Sequence, residues 1–345
     1  MSDTATPPVD NPLPPRLQWN ENYGYCGEVT FISAGLYYGQ YLSQYDARAI
    51  ASKGKPQSTK KAELLLGTND QYAAAQMRLT GSEWTPGAHS TTDDFLAWVK
   101  GEVIQGHPVA IGVYENWKRF YATTPTTATT TPTAGDPIYD HIVVVTGVSS
   151  RYPLTLPATY YPDDELKFSD NGLWTGGTSD ETPGGEPTYF FTIRFDSFQA
   201  TRQQANTSAN IYSLPDAVTN YGIAITGIID PGHETVPVRV ATSLNYETPQ
   251  IGKGSNTRPM AMPLTLAVTV TGLQPGTSYD LYRYDTVSKV PTSGFGPQGT
   301  SWQLQFTATG TSYTLVQPVL SSDQVIYRAV PAASTAPPSA PPAGS

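Results

Sequence analysis

Gln18-Trp19-Asn20-Glu21-Asn22-Tyr23-Gly24-Tyr25-Cys26-Gly27-Glu28 is the stretch on which the reading of this chain turns. Cys26 is the single cysteine in 345 residues. It follows a turn-forming Asn-Tyr-Gly segment and stands at the start of a helical pattern. Val29, Ile32, Ser33 and Leu36 make one stripe, and Phe31, Gly35, Tyr38 and Leu42 make a second. Two stripes predict a helix, from about Gly27 to Tyr45, buried on most of its circumference. Ser33, Ala34, Gly35 and Gly39 leave room for close packing. Unpaired N–H groups and the positive end of the helix dipole favour an anion at the N-terminus, and a thiolate is such an anion.

A nucleophilic cysteine needs a base, an orienting group and an oxyanion donor. Gln18 carries an amide that can donate to an oxyanion. His141 opens the β-branched run Asp140-His141-Ile142-Val143-Val144-Val145-Thr146-Gly147-Val148, read as a core strand. His89, His107 and His233 lie in loop or turn contexts, so His141 is the candidate base. Leu166-Lys167-Phe168-Ser169-Asp170-Asn171-Gly172 reads as a short strand in which Leu166, Phe168 and Asp170 share a face. That parity favours Asp170 as the orienting residue, with Asn171 the alternative, since either residue type can hold an imidazole tautomer. Asp140 would face the other side of its strand.

The ordered set resembles the papain-like cysteine peptidase superfamily: Gln18, Tyr25-Cys26-Gly27 at a helix start, a helix before Gly106-His107-Pro108-Val109-Ala110-Ile111-Gly112-Val113, the His141 strand, and a strand ending at Asp170. Within it the chain is most similar to C39-like, bacteriocin-processing peptidases, over roughly residues 15 to 175. The resemblance implies Cys26 as nucleophile, His141 as base, Asp170 as orienter and Gln18 as oxyanion donor, with no cofactor and no metal. Two features depart from it. Glu28 stands where those peptidases usually carry proline, and Tyr152 to Asp164 reads as an inserted loop between base and orienter. Glu28 is either a first-turn helix residue favoured by the dipole or a pocket acid binding a basic substrate group; Asn171 is the other candidate for substrate contact.

Charged residues are 14% of the chain and the formal net charge is −9. Lys60-Lys61 is the only local basic cluster, which argues against nucleic acid as a partner. One cysteine excludes an intramolecular disulfide, and no apolar run is long enough for a membrane span. Residues 1 to 15 lack the pattern of a signal peptide, while the Gly/Pro/Ser/Thr/Tyr-rich composition leans toward an exported protein, leaving localisation open.

The expected organisation is a disordered Pro-rich arm (1–15), a papain-like domain (16–230), a β-sandwich (231–330) and a disordered Pro/Ala/Ser tail (331–345). The fold class is α+β: a central helix packed on an antiparallel sheet, then an all-β unit. Short helices are expected at Lys60–Leu66 and Asp70–Leu79. A capped helix follows from Thr92-Asp93-Asp94 to Gly106. Thr123 to Pro137 and Thr175 to Pro187 read as loops. Asp230-Pro231-Gly232 marks the boundary. Six short strand-like runs follow it without a helix pattern. Within them, Leu273-Gln274-Pro275-Gly276-Thr277-Ser278-Tyr279 resembles the fibronectin type III corner, in which a tyrosine hydroxyl meets backbone upstream. The function expected is cleavage of peptide or other amide bonds, with a peptide or protein as substrate. The alternatives are acyl transfer to an amine and a non-catalytic surface or adhesion protein that retains the fold.

Overall fold

The computed structural model describes residues 7–19, 22–115, 139, 141–171, 190–198, 212–214, 220–243 and 254–332. The loops expected at 123–137 and 175–187, Asp140, and all but the first two residues of the expected tail lie outside these. The architecture is α+β. In chain order the elements are β1 (Val9–Asp10), α1 (Cys26–Tyr37), β2 (Gln40–Tyr41), α2 (Gln44–Ala51), α3 (Asp70–Gln76), β3 (Leu79–Glu83), α4 (Thr92–Ile104), β4 (Val109–Glu115), β5 (His141–Ser149), β6 (Glu165–Ser169), β7 (Phe190–Arg194), β8 (Tyr212–Ser213), β9 (Gly222–Ile228), β10 (Val238–Thr242), β11 (Pro263–Thr271), β12 (Ser278–Tyr284), β13 (Trp302–Thr307), β14 (Ser312–Leu320) and β15 (Val325–Pro331). Among the described residues no helix is long and apolar enough to cross a membrane.

The first sheet runs β3-β9-β4-β5-β6-β7, with β1 added to β5 and β8 to β4. Its described pairs are antiparallel. The β-branched runs bury both faces. Ala110, Ile142, Ile223 and Ile225 join the cluster containing α1, α2 and α3. Val109, Ile111, Val113, Val143, Val145 and Phe168 pack with Phe95, Leu96, Val99 and Val103 of α4. The alternation follows from the period of two along a strand. Helix α4 begins with a capping box between Thr91 and Asp94 and ends before Gly106, whose φ of 87° is left-handed.

Helix α1 is buried at every residue from Gly27 to Tyr37. It is shorter than the apolar pattern predicts. Gly39 has φ of 77°, and Ser43 caps a separate helix, its hydroxyl accepting the Asp46 N–H at 3.1 Å. Between them, β2 leaves the helix layer and pairs with β15 (Val325↔Tyr41, Ile326↔Gln40). The segment Lys60–Ala62 makes only one 3₁₀ turn where a longer helix was expected.

The Pro-rich segment also differs from expectation in its described part. Val9 and Asp10 pair with Val148 and Gly147, the Asn11 N–H donates to Thr146 O at 2.7 Å, and Leu13 is buried. Proline favours extended backbone, and Val9-Asp10-Asn11 retains the N–H groups that the ladder needs.

Beyond Asp230 the strands form two sheets, β10-β11-β14 and β13-β12-β15-β2. The Tyr279 hydroxyl accepts the Gln274 N–H at 3.0 Å, the local contact foreseen at that corner. The boundary near Asp230 separates the strands of the first sheet from β10–β15, but β2 crosses it to join β15, and the core is not divided. One apolar cluster runs from Phe31, Leu36, Ala47 and Leu66 through Val238, Val268, Leu281 and Tyr327. The helices α1–α3 are therefore a middle layer, covered on one side by the first sheet and on the other by the β-rich part.

Candidate active site

Cys26 opens α1. The preceding residue, Tyr25, offers no side-chain cap to the helix. Val29 N–H donates to Tyr25 O at 2.9 Å, so the N–H groups of the first helical residues remain directed at the space beside the thiol. Gly27 is required by a close approach: a Cβ there would lie 2.2 Å from Leu64 O. The thiol is partly exposed.

The turn leading to Cys26 is left-handed at three successive residues, with φ of 54° at Asn22, 70° at Tyr23 and 84° at Gly24. For a non-glycine residue this backbone costs about 1–2 kcal/mol, so the surroundings must hold it. Gln18 is one holder: its Oε1 accepts the Tyr25 N–H at 2.7 Å. That bond brings the Gln18 amide to the start of α1. A side chain at Gly24 would approach Gln18 Oε1 at 3.0 Å.

Arg48 is the second holder. Its Nη1 donates to Asn22 O at 2.8 Å and to Gln57 O at 3.2 Å, its Nη2 donates to Gly24 O, and its guanidinium lies 3.6 Å from the Tyr25 ring centroid. Glu28 pairs with Arg48: Nε to Oε1 is 2.7 Å with both side chains buried, and the same oxygen accepts the Leu64 N–H at 3.0 Å. Burial opposes the Arg48 charge, but the adjacent Glu28 carboxylate outweighs it and holds the group above its ordinary range. Of the two expectations for Glu28, the first-turn position is the one observed, since it lies in the first turn of α1. It is 1% exposed and its carboxylate is turned to Arg48 rather than to a cleft; what the sequence did not reveal is that it anchors the arginine that shapes the loop before Cys26.

His141 and Asp170 are brought together. His141 Nε2 lies 3.1 Å from Asp170 Oδ1, and both residues are buried. Strand parity is the reason: His141 aligns with Val143 and Val145, Asp170 with Phe168, and these three side chains share one cluster. Neutral His141 with its proton on Nε2 donates to the carboxylate and leaves Nδ1 as the basic nitrogen. The other carboxylate oxygen, Oδ2, accepts the Tyr212 hydroxyl. Tyr212 is fully buried and packs edge-on against Phe168, with centroids 4.7 Å apart, and against Phe191 at 5.3 Å.

Asn171 points to the opposite side and does different work. Its Nδ2 lies 3.1 Å from Cys26 O, 3.3 Å from Thr30 Oγ1 and 3.1 Å from Ile142 O. Its backbone O accepts the Gln18 N–H at 2.8 Å. One residue thus ties α1, the strand of His141 and the Gln18 segment together. Tyr139 lies on the same wall, its ring over Gly112, where a Cβ would come within 2.6 Å of the ring. Burial first, and then its electrostatic interaction with the nearby Cys26, push the Tyr139 hydroxyl well above its ordinary range.

Tyr212, Arg48 and Asn22 were not among the residues singled out from the sequence. Tyr212 sits in a two-residue strand with no recognisable pattern, and Arg48 lies just beyond the expected end of the long helix, in α2, an element the sequence reading did not separate. Asn22 carried the turn signal but not its partner. No family model matches the chain, and neither the curated proteins nor the solved structures give a match.

Proposed function

We propose that the chain is a papain-like cysteine hydrolase acting on peptide or other amide bonds. The observation that carries this reading is the His141–Asp170 pair, tied through the adjacent Asn171 to the backbone of Cys26 at the opening of a buried helix. Cys26 Sγ attacks the carbonyl carbon as its proton passes to His141 Nδ1. The oxyanion is received by the Cys26 backbone N–H and Gln18 Nε2. His141 returns the proton to the leaving amine, and a thioester remains. Water then attacks the thioester, giving one proton to His141, and the thiol is regenerated as the acid departs. Asp170 keeps the Nε2 proton in place and stabilises the imidazolium. The contact between Tyr279 and Gln274 N–H supports reading the later sheets as a fibronectin type III-like sandwich.

The test is a peptide-library digest followed by mass spectrometry, comparing wild type with Cys26→Ala. Cleavage by wild type alone supports the reading, and product masses separate hydrolysis from amine capture. Undiminished cleavage by Cys26→Ala removes the mechanism.

A further inference from the structure

The left-handed turn before Cys26 is held from two directions. Arg48, from α2, binds the carbonyls of Asn22 and Gly24. The other hold comes from the connection between β10 and β11, in the β-rich part. Gly254 N–H donates to Asn22 Oδ1 at 2.9 Å, and Asn22 Nδ2 donates to Ser255 O at 2.8 Å. The side-chain amide of Asn22 is thus matched by one backbone donor and one backbone acceptor, and Asn22 is 5% exposed. Asn22 Nδ2 also lies 3.4 Å from the Tyr25 hydroxyl.

The distant segment is itself tied down against the same wall. Asn256 Oδ1 accepts from Ser58 N–H and Ser58 Oγ, each at 3.0 Å, and Asn256 O accepts the Tyr45 hydroxyl at 3.1 Å. Arg258 Nη1 donates to Asp46 Oδ2 at 2.9 Å. Backbone in an unfavourable region persists only where its surroundings over-determine it. This turn directs the Tyr25 N–H at Gln18 Oε1 and delivers Cys26 to the uncapped end of α1. Whatever holds the turn therefore acts on the thiol and on the oxyanion donor together.

We infer that the segment Gly254–Arg258 is part of the catalytic framework, holding the nucleophile turn through Asn22, which is a positioning residue. The inference rests on Cys26 being the nucleophile. It gives the β-rich part a role in the chemistry: it sets the reactivity of a thiol carried by the other part.

The test uses the full chain, in which every alkylation event reports Cys26. Iodoacetamide rates are measured between about pH 5 and pH 9 for wild type, Asn22→Gly, Asn256→Ala and His141→Ala. Asn22→Gly retains access to positive φ but loses both bonds to the distant segment and the contact with the Tyr25 hydroxyl, and Asn256→Ala loosens the segment from the far side without touching the turn. Both are expected to melt cooperatively. Asn22→Gly should react about tenfold more slowly than wild type at mildly acidic pH, its profile moving toward that of a free thiol. Asn256→Ala should move the same way by less, and it carries the test if Asn22→Gly does not fold. A wild-type profile in the folded variants overturns the inference alone. A wild-type protein no more reactive than glutathione, with His141→Ala unchanged from it, overturns the nucleophile reading and the inference with it.

Discussion

Asp170 has its two carboxylate oxygens on different partners, His141 and Tyr212, and the effects of substitution should separate accordingly. Tyr212→Phe keeps the buried ring and removes one donor to a charged acceptor. A hydrogen bond of that kind is worth about 1.5–3 kcal/mol; with most of that expressed in the transition state, kcat falls roughly tenfold or more. KM should stay near wild type, because Tyr212 is fully buried behind Asp170. A raised KM at constant kcat would show that Tyr212 acts on binding instead. Asp170→Ala should lower kcat further, by on the order of 10²-fold, and should also lower the melting temperature, because the buried His141 and Tyr212 lose their acceptor. Asn171→Ala should act mainly on stability. It removes the donor shared by Cys26 O, Thr30 Oγ1 and Ile142 O, and should cost about 1–3 kcal/mol of stability in denaturant unfolding. Strand parity made Asp170 legible beforehand, because Phe168 and Asp170 had to face the same way. Tyr212 was not legible, since its position follows from a two-residue pairing with β4 that no pattern announces.

At the scale of elements, the strands were easier to foresee than the helix ends. Runs such as Val143-Val144-Val145 and Leu264 to Val270 carry their β-branched content openly, whereas the apolar stripe of α1 continues past its true end into Leu42. The stop was nevertheless written in Gly39 and in the Ser43-x-x-Asp46 cap, two local signals that the longer periodicity outweighed. Gly39→Ala tests that stop. A Cβ there would lie 2.8 Å from Val238 Cβ on a left-handed backbone, so the strain alone should cost about 1–2 kcal/mol, read as a lower melting temperature. The junction of α1 and α2 gives a second test. Glu28→Gln leaves Arg48 buried without its opposite charge, and removing one partner of a buried pair costs roughly 3–5 kcal/mol. The expected outcome is a marked loss of stability with an unchanged preference between matched basic and neutral peptides. A changed preference in a protein of wild-type stability would return Glu28 to the pocket.

For the whole molecule, the decisive fact is that the middle helix layer has sheets on both sides. The change of texture at Asp230 was legible, but a shared core was not, because the apolar residues of α1 do not reveal how many surfaces will cover them. A chain truncated near Asp230 would expose the face of α1 that meets Val238, and the C-terminal end of α1 would lose Arg239, which donates to Tyr37 O at 2.5 Å, and Arg328, which donates to Tyr38 O at 3.3 Å. It should fail to melt cooperatively, whereas the full chain should unfold in one transition by circular dichroism. Independent cooperative melting of both halves would refute this. The pairing of β2 with β15 also bears on synthesis. Residues 40–41 leave the ribosome well before their partners at 325–326, which emerge only after all the residues between them have been made. Contacts of such long range cannot form during most of translation. The nascent chain thus carries its thiol through the synthesis of the intervening residues without the strand that completes the layer around it, and whatever reactivity the folded layer confers on Cys26 is withheld until that strand arrives.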